Sequence, residues 1–81
     1  MSIHIRYFAA LRETVGKGEE TLELPAGTTV VEVRTLLQDR YPALTGVLER
    51  SAVAINRSYA STQGILHDGD ELAFIPPLGG G

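Results

Sequence analysis

The stretch from Thr29 to Pro42 constrains the rest of the chain most. Thr29-Val30-Val31-Glu32 has the form of a capping box, in which the Thr hydroxyl and the Glu carboxylate each satisfy an otherwise orphaned backbone N–H. Val30, Val33, Leu36, Leu37 and Tyr41 then recur at helical spacing, with Arg34, Gln38 and Asp39 off that line, until Pro42 stops the helix. The spacing predicts one long helix with one apolar stripe and Leu36 near its middle. A stripe of that kind must be buried against a matching surface. In 81 residues without cysteine, no cross-link or second core is available to help. The remaining residues must therefore form a single layer that covers the helix.

Alternating segments supply that layer. Ile3-His4-Ile5-Arg6-Tyr7-Phe8 reads as a strand with Ile3, Ile5 and Tyr7 on the core side. Ala9 to Val15 favours helix and ends at Gly16, a suitable C-cap. Glu19 to Leu24 alternates again, with Leu22 and Leu24 facing one way, and closes at Pro25-Ala26-Gly27. After the long helix, Ala43 to Arg50 predicts a short helical turn with Leu44, Val47 and Leu48 inward. Ala52 to Asn56 is a compact buried strand, Arg57-Ser58 a turn and Tyr59-Ala60 a strand stub. His67-Asp68-Gly69-Asp70 is a turn, and Glu71 to Ile75 is the last strand, ended by Pro76-Pro77. The expectation is an α+β domain with a mixed sheet wrapped around one helix, and with the other sheet face left open.

Several function classes drop out. A net charge of −3 and a pI near 5.2 offer no basic footprint for nucleic acid, and Lys17 is the only lysine. Thiolate metal sites and disulfides are excluded by the lack of cysteine. No apolar run reaches the ~20 residues of a membrane span, and the start lacks signal-peptide character, so a soluble cytoplasmic protein is expected. His4 and His67 fit no ligand or triad spacing and read as exposed or satisfied side chains. Asp68, Asp70 and Glu71 lack the further spaced oxygens of a calcium loop and read as a turn. Gly79-Gly80-Gly81 precede no helix and cannot cradle phosphate. No stand-alone catalytic site is expected, and no bound cofactor or metal.

The last residues carry the functional signal. Three glycines bury no side chain and add nothing to stability. Before them stands a strand ending in Phe74-Ile75, then Pro76-Pro77, which stop sheet pairing and stiffen the exit. The expected division is a domain over 1–77 and a flexible glycine tail over 78–81. From Pro76 to Gly81, an extended tail reaches about 17–20 Å. A slender tip of that length suits entry into a narrow channel of another protein.

The ending Phe74-Ile75-Pro76-Pro77-Leu78-Gly79-Gly80-Gly81 resembles that of the molybdopterin synthase small-subunit family. Tyr7-Phe8-Ala9-Ala10-Leu11-Arg12-Glu13 with Val15-Gly16, Thr29-Val30, Ala54-Ile55-Asn56 and Asp68-Gly69-Asp70-Glu71 also fit it, so the resemblance covers the whole chain. It implies a β-grasp (ubiquitin-like) fold of about five strands around one long helix. It also implies a sulfur carrier whose working group is the C-terminal carboxylate of Gly81, preceded by Gly80. An E1-like adenylyltransferase would activate that carboxylate with ATP, and a sulfur-donor enzyme would supply the sulfur that makes it a thiocarboxylate. The carrier would then deliver sulfur to cyclic pyranopterin monophosphate in the large subunit, forming the molybdopterin dithiolene. The expected assembly is a heterotetramer of two small and two large subunits. The small subunit is not catalytic by itself, and with no cysteine it has only its terminus to carry sulfur.

Strand phase puts Arg6 and Phe8 on the sheet face opposite Ile3, Ile5 and Tyr7. An aromatic residue beside arginine is typical hot-spot composition. The expected partner-binding set is Phe8, Arg12, Tyr59, Phe74, Ile75, Pro76, Pro77, Leu78 and Gly79. A terminal Gly-Gly is shared with carriers for thiamine and tRNA thiolation and with ubiquitin-like modifiers, which remain the alternatives. A third is an interaction domain whose glycines have no function.

Overall fold

The structure, a computed structural model, describes residues 1–77. Strand β1 (Ser2–Tyr7) alternates half-buried and buried residues along its length, as its period-two pattern requires. It ends one residue earlier than the sequence suggests: Phe8 becomes the N-cap of α1 (Ala9–Val15), because Ala9 takes a left-handed φ of 50° and swings the chain off the sheet. Gly16, at φ 87°, closes α1 by donating its N–H to the Arg12 carbonyl. Strand β2 (Glu19–Glu23) follows, then α2 (Val30–Arg40), where Thr29 and Glu32 form the reciprocal cap. A single 3-10 turn (Pro42–Leu44) leads into α3 (Thr45–Arg50). Strands β3 (Ala52–Ile55), β4 (Ser58–Ala60) and β5 (Glu71–Ile75) complete the regular structure of the described residues.

The sheet runs β2-β1-β5-β3-β4. β1 and β5 lie parallel at its centre, and the other neighbours are antiparallel. One face packs against the helices: Ile3, Ile5, Tyr7, Leu22, Val53, Leu72 and Phe74 meet Leu11, Val30, Val33, Leu37, Leu44 and Leu48.

Two sequence expectations are corrected within this core. Leu37 is the fully buried centre of the α2 stripe, while Leu36 is half-buried at its edge beside Glu32, Thr35 and Asp39. A stripe of 3.6-residue period drifts around the helix, and only the sheet's position decides which of two adjacent leucines it covers. The second correction is the hairpin loop. It is Asn56–Arg57 rather than Arg57–Ser58, since Ile55 pairs with Ser58.

A polar cluster ties the edge of the sheet to the end of α2. Glu20 accepts from the Tyr7 hydroxyl at 2.5 Å and the Tyr41 hydroxyl at 3.4 Å, and pairs with Lys17 at 3.5 Å and Arg40 at 3.3 Å. Burial pushes the Glu20 carboxyl up, but the Tyr7 hydrogen bond and the two cations outweigh it and hold it below its usual range. Among the described residues, no helix is long and apolar enough to cross a membrane.

Candidate functional site

The open face of the sheet carries two of the three large exposed hydrophobics among the described residues, Phe8 and Tyr59. On β1, β5 and β3 the outward positions align in register: Arg6 lies opposite Ala73, and Ala73 opposite Ala54, which pairs across β3–β4 with Tyr59. Two alanines therefore make a low floor, and larger side chains stand around it. The result is a concavity of about 460 Å³ lined by Arg6, Phe8, Arg57, Tyr59, Glu71 and Ile75 above Ala54 and Ala73. Phe8 is 40% and Tyr59 79% exposed, an apolar presentation that water does not favour. The Arg6 guanidinium lies 5.5 Å from the Phe8 ring centroid and steadies it from one side.

The central parallel pair decides where the chain leaves this face. Tyr7 pairs with Phe74, so Phe8, just past the end of β1, and Ile75 of β5 come next on neighbouring segments. A second, apolar recess of about 250 Å³ is lined by Phe8, Ala9, Ile75 and Pro76. The residues that lead toward the glycines thus depart from the rim of the concavity. On the other side of Phe8, Arg12 lines a polar recess of about 250 Å³ with Arg6, Tyr7, Phe8, Gly18 and Glu19. Its guanidinium lies over Gly18, where an added Cβ would come within 3.0 Å of its Nε and Nη2 atoms. Arg12 has no ion-pair partner among the described residues.

Of the partner-binding residues expected from sequence, Phe8, Tyr59, Ile75 and Pro76 come together around these recesses, and Arg12 sits beside Phe8. Pro77 is exposed. Phe74 is a correction: it is fully buried, because strand alternation turns it to the helix side between the outward Ala73 and Ile75. Leu78, Gly79, Gly80 and Gly81 lie outside the described residues. Arg57, Glu71, Ala54 and Ala73 are members of the concavity that sequence reasoning did not select. The phase of β5 already contained part of the signal, since Glu71, Ala73 and Ile75 share one parity.

His4 faces Thr21 and Glu19 across the β1–β2 pair, and His67 lies beside Asp70 in the turn. Asp70 accepts from the His67 backbone N–H and from Asn56, which holds its carboxyl below the usual range and makes it a turn-forming group. Among the described residues, no group of three metal-ligating side chains comes together.

A five-stranded mixed sheet with one long helix across one face, and an open face leading into the chain's exit, is the ubiquitin-like β-grasp arrangement. Within that class the chain belongs to the ThiS family, whose pattern it matches over residues 5–81. It is 40% identical over 83 residues to the molybdopterin synthase sulfur carrier subunit of Chlamydomonas reinhardtii, with 100% of both chains covered. It is 37% identical over 82 residues to the protein of that name in Mycobacterium tuberculosis, covering 100% of this chain and 99% of that one. Among solved structures, it resembles the small archaeal modifier protein 1 of Methanosarcina acetivorans with a TM-score of 0.84 and 28% identity, covering 99% of this chain and 96% of that one.

Proposed function

We propose that this chain is the sulfur carrier subunit of a molybdopterin synthase and acts through the carboxylate of Gly81. The observation that carries the reading is full-length identity of 40% to a relative of that name, spanning the glycine-rich end. A carboxylate is a poor acyl donor, so an E1-like adenylyltransferase uses ATP to convert it to an acyl adenylate. Sulfur from a donor enzyme then bonds to the carbonyl carbon as AMP leaves, giving the thiocarboxylate. The charged carrier docks on the large subunit through Phe8, Arg12, Tyr59, Ile75 and Pro76, and the assembly is a heterotetramer of two small and two large subunits. There it gives its sulfur to cyclic pyranopterin monophosphate, leaves as the carboxylate and is recharged in the cytoplasm. The catalytic side chains belong to the large subunit, and the carrier binds no cofactor of its own.

Intact mass after incubation with the activating enzyme, ATP and a sulfur source tests this. Exchange of one oxygen for sulfur adds roughly 16 Da, and fragmentation places it on Gly81. Sulfur found elsewhere, or charging that survives deletion of Gly80-Gly81, sinks the proposal.

The likeness to an archaeal modifier protein favours one second reading, transfer of activated Gly81 to a lysine amine of another protein. A peptide carrying a Gly-Gly remnant on lysine would mark it, whereas sulfur donation leaves none.

A further inference from the structure

The β3–β4 turn carries a residue that the fold does not call for. Ile55 pairs with Ser58, so Asn56–Arg57 is a two-residue loop. The φ values of 50° and 69° make it a type I′ turn, for which Asn-Gly is the favoured pair. Asn56 suits its position: its Nδ2 donates to Asp70 at 2.9 Å, and its Oδ1 accepts from the Glu71 N–H at 3.0 Å. Arg57 has no tie of that quality. Its Nε lies 3.9 Å from the Glu71 carboxylate, which Arg6 already approaches at 3.8 Å from the other side. The Arg57 side chain is 83% exposed, where such a pair contributes little. One carboxylate between two guanidiniums leaves a surplus cation on the rim of the concavity that Phe8, Tyr59 and Ile75 line. A non-glycine residue held at positive φ with so weak a structural tie marks a working surface rather than a folding requirement.

We propose that Arg57 is a specificity-determining contact, its guanidinium meeting a carboxylate of the large subunit when Phe8 and Tyr59 seat against that partner. This rests on the carrier reading above. The planar fork of arginine selects a carboxylate over a neutral acceptor, and the chain's net charge of −3 makes a local cation an orienting feature.

Thermal unfolding and titration with the purified large subunit, on the parent chain, Arg57→Gly, Arg57→Asn and Phe8→Ala, test it. Arg57→Gly relieves the turn and raises Tm by about 2–5 °C. It nonetheless weakens Kd by about three- to tenfold at low salt, with the gap narrowing as salt rises. Arg57→Asn tolerates the same φ, so it keeps Tm near the parent value while losing the same affinity. Unchanged affinity of both Arg57 variants, with Phe8→Ala weakened, overturns the proposal and leaves the carrier reading standing. A fall in Tm for Arg57→Gly also overturns it, since Arg57 would then be a structural partner of Glu71. If the parent chain fails to bind the large subunit, the carrier reading falls and this contact with it.

Discussion

Glu20 is 10% exposed at its side chain, yet it is charged, because two tyrosine hydroxyls and two cations face it from β1, α2 and the loop before β2. Burial, and then the same hydrogen bond, push the Tyr7 hydroxyl upward, so Tyr7 is the donor to Glu20 at neutral pH. Glu20 has a depressed folded value, so its contribution is fully present above the unfolded carboxylate value. It is lost as pH falls through the folded one. Replacing Glu20 by Gln removes charge-assisted hydrogen bonds and is expected to cost about 1–3 kcal/mol at pH 7. In urea unfolding, that difference should shrink steadily toward pH 3. A difference independent of pH would assign the loss to packing. Alternation puts Glu20 on the Leu22 side of β2, unlike Glu19 and Glu23, but its partners come from three separate segments and no local pattern reveals them.

The element that organises the fold is α2, and its two central leucines separate position from composition. Leu37 is fully buried against the sheet, whereas Leu36 is half-buried at the edge of the core beside Glu32 and Asp39. Leu37→Ala should therefore destabilise by about 2–5 kcal/mol, the range for a buried leucine. Leu36→Ala should cost only about 1 kcal/mol. Equal losses in chemical denaturation would mean that both leucines share the core. The sequence makes the helix, its cap and its stop at Pro42 plain, because those signals act within a few residues. It leaves the rotation of the stripe open by one position, because that depends on where the sheet lies. The early end of β1 has a similar origin: alternation continues through Phe8, and the turn at Ala9 has no compositional mark.

For the molecule as a whole, the proposed site of charging lies outside the segment that builds the described core. Among the described residues, the hydrophobic core runs from Ile3 to Phe74. Gly80→Val should accordingly leave Tm within about 2 °C of the parent, as a substitution outside the core does. In the proposed function it should abolish charging or sulfur delivery, because a branched Cβ does not follow a glycine through a narrow channel. Normal sulfur transfer by that variant, measured as dithiolene product formed with the large subunit, would show that no such channel is traversed.

The sequence by itself determined the α+β class, the strand parities, the single organising helix and the glycine-rich end, all from patterns within a few residues of one another. The outward phase of Phe8 was among them, since alternation along one strand needs no partner to define it. Only the tertiary structure decided that Phe8 stands beside Ile75, because that follows from the parallel pairing of β1 with β5, strands separated by almost the whole chain. The same pairing set the alanine floor under Tyr59 and brought Arg57 and Glu71 to its rim. Alternation fixes which face each strand shows, but which residues of distant strands stand opposite one another depends on packing of the whole core.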